Sequence, residues 1–120
     1  MGKQKRTLAV DFDGVLHRYS GYRDGFIDGP VHGALDFVHA LLARGNTVVV
    51  FTTRKRSDVE AWLERHNFPA LEVTDIKRPF WLILDDRAMP FDGHFDDALL
   101  ERIVSFKPYW IDGGPAKGHA

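Results

Sequence analysis

The chain has no cysteine, which removes disulfides, thiolate zinc sites and cysteine nucleophiles from consideration and agrees with a reducing compartment. Long hydrophobic runs are missing too. None approaches the roughly 18 residues that a membrane span needs, and no apolar signal-like segment follows the basic opening residues. The expectation is a soluble, cytoplasmic protein with no membrane partner. Nor is there an excess of one charge: 16 Lys and Arg against 17 Asp and Glu give a formal net charge of -1, which argues against binding nucleic acid through a broad basic footprint. The local basic groups Lys3, Lys5, Arg6 and Arg54, Lys55, Arg56 read as solvated surface. None of the six histidines falls in a metal-ligand spacing such as H-E-x-x-H. There is no internal repeat or low-complexity segment. What remains is an ordinary globular composition, 44% hydrophobic and 28% charged over 120 residues, enough for one domain that buries about two-thirds of its unfolded surface.

Periodicity supplies the elements. The apolar stretch from Thr7 to Val10 has strand-like composition, and residues 15–29, rich in Gly, Tyr and Asp, predict a small hairpin or irregular flap. Pro30 suits a first helical turn, and Val31, Ala34, Leu35, Val38, Leu41 and Leu42 recur at helical spacing until Gly45 stops the helix. Thr47 to Phe51 is a continuous β-branched and apolar run, suited to a strand buried on both faces. Ser57 and Glu60 frame a capping box for a second helix, with Val59, Trp62 and Leu63 on its apolar side and Asn67 and Pro69 at its end. A short strand near Leu71–Thr74, a second buried run over Phe80–Leu84 and a helix over Asp96–Phe106 follow, the helix carrying Leu99, Ile103 and Phe106 on one face. Alternating strands and helices predict an α/β fold, a three-layer Rossmann-like arrangement around a mostly parallel sheet. The domain spans 1–111, with 1–5 as a basic tail and 112–120 as a flexible one. Trp62, Trp81 and Trp110 fit core or core-edge positions, Gly14 and Gly45 need only turn and cap roles, and Asp92-Gly93 reads as a simple turn.

Chemistry concentrates where the first strand ends. Asp11 and Asp13, spaced i and i+2, project to the same side as the chain leaves the sheet, and Gly14 follows at once. Two like charges that close repel unless a cation or a shared proton neutralises them, which suggests a divalent metal or acid/base work. A solvated strand end with an Asp-Gly turn is the plainer alternative. In open α/β sheets ligands bind outside the carboxyl ends of the strands, and the other polar residues collect there. Thr52, Thr53 and Arg54 follow the second strand, Asp85, Asp86 and Arg87 follow the run at Phe80–Leu84, and Lys77 lies in the connection before it. Carboxylates for a hard cation, a hydroxyl and a lysine together make a site for a metal-bound phosphoryl group.

With these motifs the chain resembles the haloacid dehalogenase-like (HAD) hydrolase superfamily, whose members are mostly magnesium-dependent phosphatases. Four motifs stand in the family's order: Asp11-Phe-Asp13-Gly14-Val-Leu, then Val48 to Thr52, then Lys77, then Leu82 to Asp86. The likeness covers roughly residues 6–106. It implies that Asp11 attacks phosphorus and forms an aspartyl-phosphate, that Asp13 serves as general acid and then base, and that Thr52 and Lys77 hold and neutralise the phosphoryl oxygens. Mg2+ would sit among Asp11, the backbone carbonyl of Asp13, and Asp86, with Asp85 in an outer position or touching Lys77. Thr53 is the alternative to Thr52. The haloacid dehalogenases proper lack a carboxylate at the position of Asp13, so hydrolysis of a phosphoester or phosphoanhydride is the expected reaction.

Family cap domains are inserted in the flap or after the threonine motif, and neither place has room here. A capless member has an open site, which goes with large phosphorylated substrates such as nucleic-acid ends or phosphoproteins, or with an oligomer in which a neighbour covers it. His17, Arg18, Tyr19, Tyr22 and Arg23 in the flap, the Gly14 turn and Arg54 are candidates for substrate contact, against the alternative of a flap that merely shields the site. A receiver-like phosphoacceptor signalling domain has similar length and residue types, but it places its phosphoacceptor on the third strand and its lysine after the hydroxyl residue, at the end of the fifth. A catalytically silent HAD-like binding protein is the other alternative, and the intact motif set disfavours it.

Overall fold

The computed structural model describes residues 5–112. The two expected tails therefore lie almost wholly outside the described residues. Four strands, β1 (Thr7–Val10), β2 (Thr47–Phe51), β3 (Glu72–Thr74) and β4 (Leu82–Leu84), form one sheet in the order β3-β2-β1-β4. Every pairing is parallel, with Val10 opposite both Val50 and Leu84, and Val50 opposite Val73. The sequence is thus an α/β chain with an all-parallel sheet, compatible with a Rossmann-like core.

Three helices accompany the sheet: α1 (Ala34–Ala43), α2 (Arg56–Arg65) and α3 (Asp97–Val104). Val10, Val48, Val50 and Val73 share one sheet face by register, and they pack in one buried cluster with Val38 of α1 and with Val59, Trp62 and Leu63 of α2. Both helices therefore cover the same face. Each of these side chains contributes about 1.5–3 kcal/mol by leaving water. Gly45, at φ 91°, closes α1 as the left-handed residue that follows a helix end, its N–H donating to the Leu42 carbonyl at 2.9 Å.

Four local expectations need correction. Helix α1 starts at Ala34 rather than Pro30, because the chain on either side of Pro30 is held by the segment after β1: Val31 N donates to Leu16 O at 2.8 Å and Arg18 N to Gly29 O at 2.9 Å. The capping box at Ser57 is unused, since the N-cap of α2 is Lys55, two residues earlier, and makes no side-chain cap bond. β4 is not a buried run. It is an edge strand, with Leu82 55% and Leu84 42% exposed, and Trp81 lies outside the core with the Arg6 guanidinium over its ring. Helix α3, capped by Asp96 Oδ1 accepting from Leu99 N, buries no residue and makes no close approach to another element among the described residues. The described residues accordingly form two of the three layers expected, and the apolar side of α3 faces solvent.

Trp62 joins the two parts of the chain that frame the site. Its ring meets Phe12 edge-on at 5.0 Å between centroids, and its Nε1–H donates to the Asp28 carbonyl at 2.7 Å, tying α2 to the loop that leads into α1. A Trp62→Ala variant should lose roughly 3–5 kcal/mol of unfolding free energy in urea titrations. A loss under about 1 kcal/mol would contradict this packing.

Candidate active site

Parallel pairing brings all four carboxyl strand ends to one edge, and there they surround an open cavity of about 470 Å³. Asp11, Asp13, Asp75, Asp85 and Asp86 supply its carboxylates, Thr52 and Thr53 its hydroxyls, and Tyr19, Tyr22 and Phe51 its aromatic wall, with Arg87 as the cation. Register explains the acidic centre. Val10 lies opposite Leu84, and Asp11 N donates to the Leu84 carbonyl at 2.9 Å, so the next residues of the two strands, Asp11 and Asp85-Asp86, emerge side by side.

Asp11, Asp85 and Asp86 can each bring an oxygen within 4.8 Å of the other two. Burial, then a shared hydrogen bond with Asp86 and the charge of Asp85, pushes the Asp11 carboxyl up to about 8, although the Phe12 N–H donating to its Oδ1 at 2.7 Å acts the other way. Asp86 Oδ2 accepts from Trp110 Nε1 at 2.5 Å, and Asp85 Oδ1 accepts from the Arg87 backbone N–H at 2.8 Å. A crowded set of carboxylate oxygens without nitrogen or sulfur donors could hold a hard cation, and an opposite charge there would reverse the upward push on Asp11.

Asp13 has the opposite surroundings. Its Oδ1 accepts from Arg54 Nε at 2.7 Å and lies 2.6 Å from His17 Nε2. Burial raises the Asp13 carboxyl, but the hydrogen bonds and charges of His17 and Arg54 outweigh it and hold the group below the usual carboxylate range. The two carboxylates of the Asp11-Phe-Asp13 turn are thereby pushed apart, as two groups with different tasks would be. Behind them, Phe12 is fully buried and packs against the His17 ring at 4.5 Å between centroids with the planes tilted by 50°, which fixes the turn from the core side.

The structure gathers Asp11, Asp13, Thr52, Thr53, Asp85 and Asp86 around the cavity. Thr52 is buried, and its Oγ1 accepts from Arg54 N at 3.1 Å. Gly14 sits in the turn at φ 80°. Other candidates fall elsewhere. His17 is 1% exposed, beneath Asp13 rather than on the flap surface. Arg18 points away to pair with Asp28 at 2.9 Å. Arg54 is used to hold Asp13, with its Nη2 buried and unpartnered among the described residues. Lys77 is exposed and makes no hydrogen bond or ion pair among the described residues, though Asp75, two residues earlier, lines the cavity. Sequence reasoning missed Asp75, Tyr109 and Trp110. A polar strand-end position signals the first; nothing local signals the others, which lie 24 residues or more from their partners.

A scan against protein-family models and a search of curated proteins give no match. Among solved structures, that of a conserved protein coded by a locus of Bacteroides thetaiotaomicron superposes with a TM-score of 0.59 at 17% identity, covering 84% of this chain and 90% of that one. At that identity the similarity bears on the fold alone.

The raised Asp11 carboxyl makes a stability prediction with a definite sign. The unfolded chain ionises Asp11 near pH 3.8, whereas the folded chain holds the proton to about 8, so stability falls as pH rises between these values. Without metal, Asp11→Asn should therefore raise the melting temperature, and by more at pH 8 than at pH 5. An equal or opposite shift at the two pH values would contradict the crowding of Asp11 against Asp85 and Asp86.

Proposed function

We propose that the protein is a HAD-like phosphatase, a magnesium-dependent phosphoric monoester hydrolase working through an aspartyl-phosphate on Asp11. The observation that supports this most is the meeting of Asp11 with Asp85 and Asp86 on one side and with Asp13 on the other, at the mouth of an open strand-end cavity that also carries Thr52. Asp11, Asp86 and the Asp13 carbonyl would hold Mg2+, with Asp85 beside them. The ion would supply charge neutralisation of the phosphoryl oxygens.

In the first half-reaction an Asp11 oxygen bonds to phosphorus, the bond from phosphorus to the ester oxygen breaks, and the minor, protonated form of Asp13 gives its proton to that leaving oxygen, so that Asp13 ends the step as the carboxylate. In the second, Asp13 takes a proton from water, the water oxygen bonds to phosphorus, and Asp11 leaves as carboxylate with release of phosphate. Thr52 donates its hydroxyl to a transferring oxygen. Arg54 and His17 fix the orientation of Asp13, and their hold on its Oδ1 favours the ionised form that the second half-reaction needs.

Hydrolysis of p-nitrophenyl phosphate measured with and without Mg2+ tests this reading. Turnover should require the ion, vanish in excess chelator and fall at least about 10³-fold in Asp11→Asn, with Asp13→Asn losing about 10²–10⁴-fold. Undiminished turnover in Asp11→Asn would sink it. The open cavity further supports large substrates: a 5′- or 3′-phosphorylated oligonucleotide should have a higher kcat/KM than the matching mononucleotide or a sugar phosphate, and a preference for the small compounds would contradict that choice.

Cationic help comes from two residues that kinetics can separate. On the resemblance, Lys77 neutralises the transferring group, whereas Arg87 lines the cavity wall. Lys77→Ala should lower kcat by about 10²-fold, and Arg87→Ala should act chiefly on KM. An unchanged kcat in Lys77→Ala would leave that role to the arginines.

A further inference from the structure

The segment after α3 returns to the strand ends and contributes two donors to the site. Trp110 is 7% exposed, and its Nε1–H donates to Asp86 Oδ2 at 2.5 Å. Tyr109, next to it, donates its hydroxyl to the Gly14 carbonyl at 2.6 Å. The Trp110 ring meets Tyr19 edge-on at 4.9 Å between centroids, and the Arg87 guanidinium lies 5.2 Å from its centre. Space is fully used at this junction: a methyl group on Gly14 would come within 2.5 Å of Asp86 Oδ2 and 3.0 Å of Trp110 Nε1.

We propose that Trp110 and Tyr109 are positioning residues for the cation site, Trp110 by fixing the Asp86 carboxylate and Tyr109 by pinning the carbonyl of the Asp13-Gly14 turn. The inference rests on the phosphatase reading above. An indole N–H donates one hydrogen bond and accepts none. Placed on Oδ2, it settles the rotamer of Asp86 while leaving the carboxylate further lone pairs with which to ligate. It also draws charge from a carboxylate that stands against Asp11 and Asp85, which eases the repulsion within the cluster. Tyr109 acts one residue beyond the Asp13 carbonyl, so the same two-residue segment braces both the side-chain and the main-chain ligand positions. Outer groups that orient metal ligands in this way change metal affinity by about 10–100-fold when removed.

The test compares two ring substitutions that differ in the donor. Mg2+ binding to the full chain, measured by calorimetry, should weaken by about 10–100-fold in Trp110→Phe and by less in Trp110→His, whose ring keeps an N–H. Tyr109→Phe, which removes one hydroxyl and little packing, should also weaken binding, and it serves should Trp110→Phe fail to fold. In the wild type, Mg2+ should change tryptophan emission, and that change should disappear in Trp110→Phe, where Trp62 and Trp81 remain. Wild-type affinity in folded Trp110→Phe and Tyr109→Phe would overturn the positioning role and leave the phosphatase reading intact. Absence of Mg2+ binding in the wild type would overturn both.

Discussion

The parallel pairing of β1 with β4 is the constraint on which the rest depends. Because Val10 lies opposite Leu84, the first residues past each strand are Asp11 and Asp85, and Asp86 follows within reach of both. A slip of one residue would turn the side chains of one strand to the other face and remove the acidic centre along with the buried Val10. Core and site are therefore specified by one register. The same valine that fills the cluster beneath α1 and α2 hands the chain to the carboxylate that stands above it.

Like charges brought together by a rigid ladder cannot relax by moving apart, so the neighbouring groups decide how each one behaves. Asp13 is given a guanidinium and an imidazole and stays low; Asp86 is given an indole N–H; Asp11 is given one backbone N–H and two acidic neighbours, and rises. The partners come from widely separated parts of the chain. Arg54 follows β2, His17 lies in the loop after β1 and Trp110 returns from beyond α3. Each is buried or nearly so, which raises the strength of its interaction and the cost of leaving it unpaired.

Much of this was legible in the sequence, and the failures have physical causes. The β-branched run of β2, the apolar stripe of α1 and the carboxylates after β1 and β4 are local patterns, set by periods of 2 and 3.6 residues and by strand ends. Burial is not local. Leu82, Ile83 and Leu84 read as an interior strand, yet their strand lies at the sheet edge, because the pattern that marks a strand does not give its place in the sheet. Helix α3 has the apolar spacing of a packed helix, and no other element meets it among the described residues. The roles of Trp110 and Tyr109 depend on a contact across 24 and 95 residues respectively, which spacing cannot encode. Its place among polar residues after β1 makes His17 a candidate for substrate contact; its i+4 relation to Asp13 in the tight turn puts it underneath that carboxylate instead.

The charge balance of the cavity bears on what it can accept. Five carboxylates face it, while Arg87 alone of the lining residues is cationic and Arg54 is engaged by Asp13. A phosphate monoester, itself an anion, would meet net repulsion in such a cavity. On the phosphatase reading, then, a divalent cation is needed for substrate to bind as well as for its transfer, and the order of events follows from charge alone. The carboxylates must first be neutralised before the anion can stay. On the same reading the ion-free protein would repel its substrate, and the donors around Asp13 and Asp86 would keep the site arranged until the cation binds.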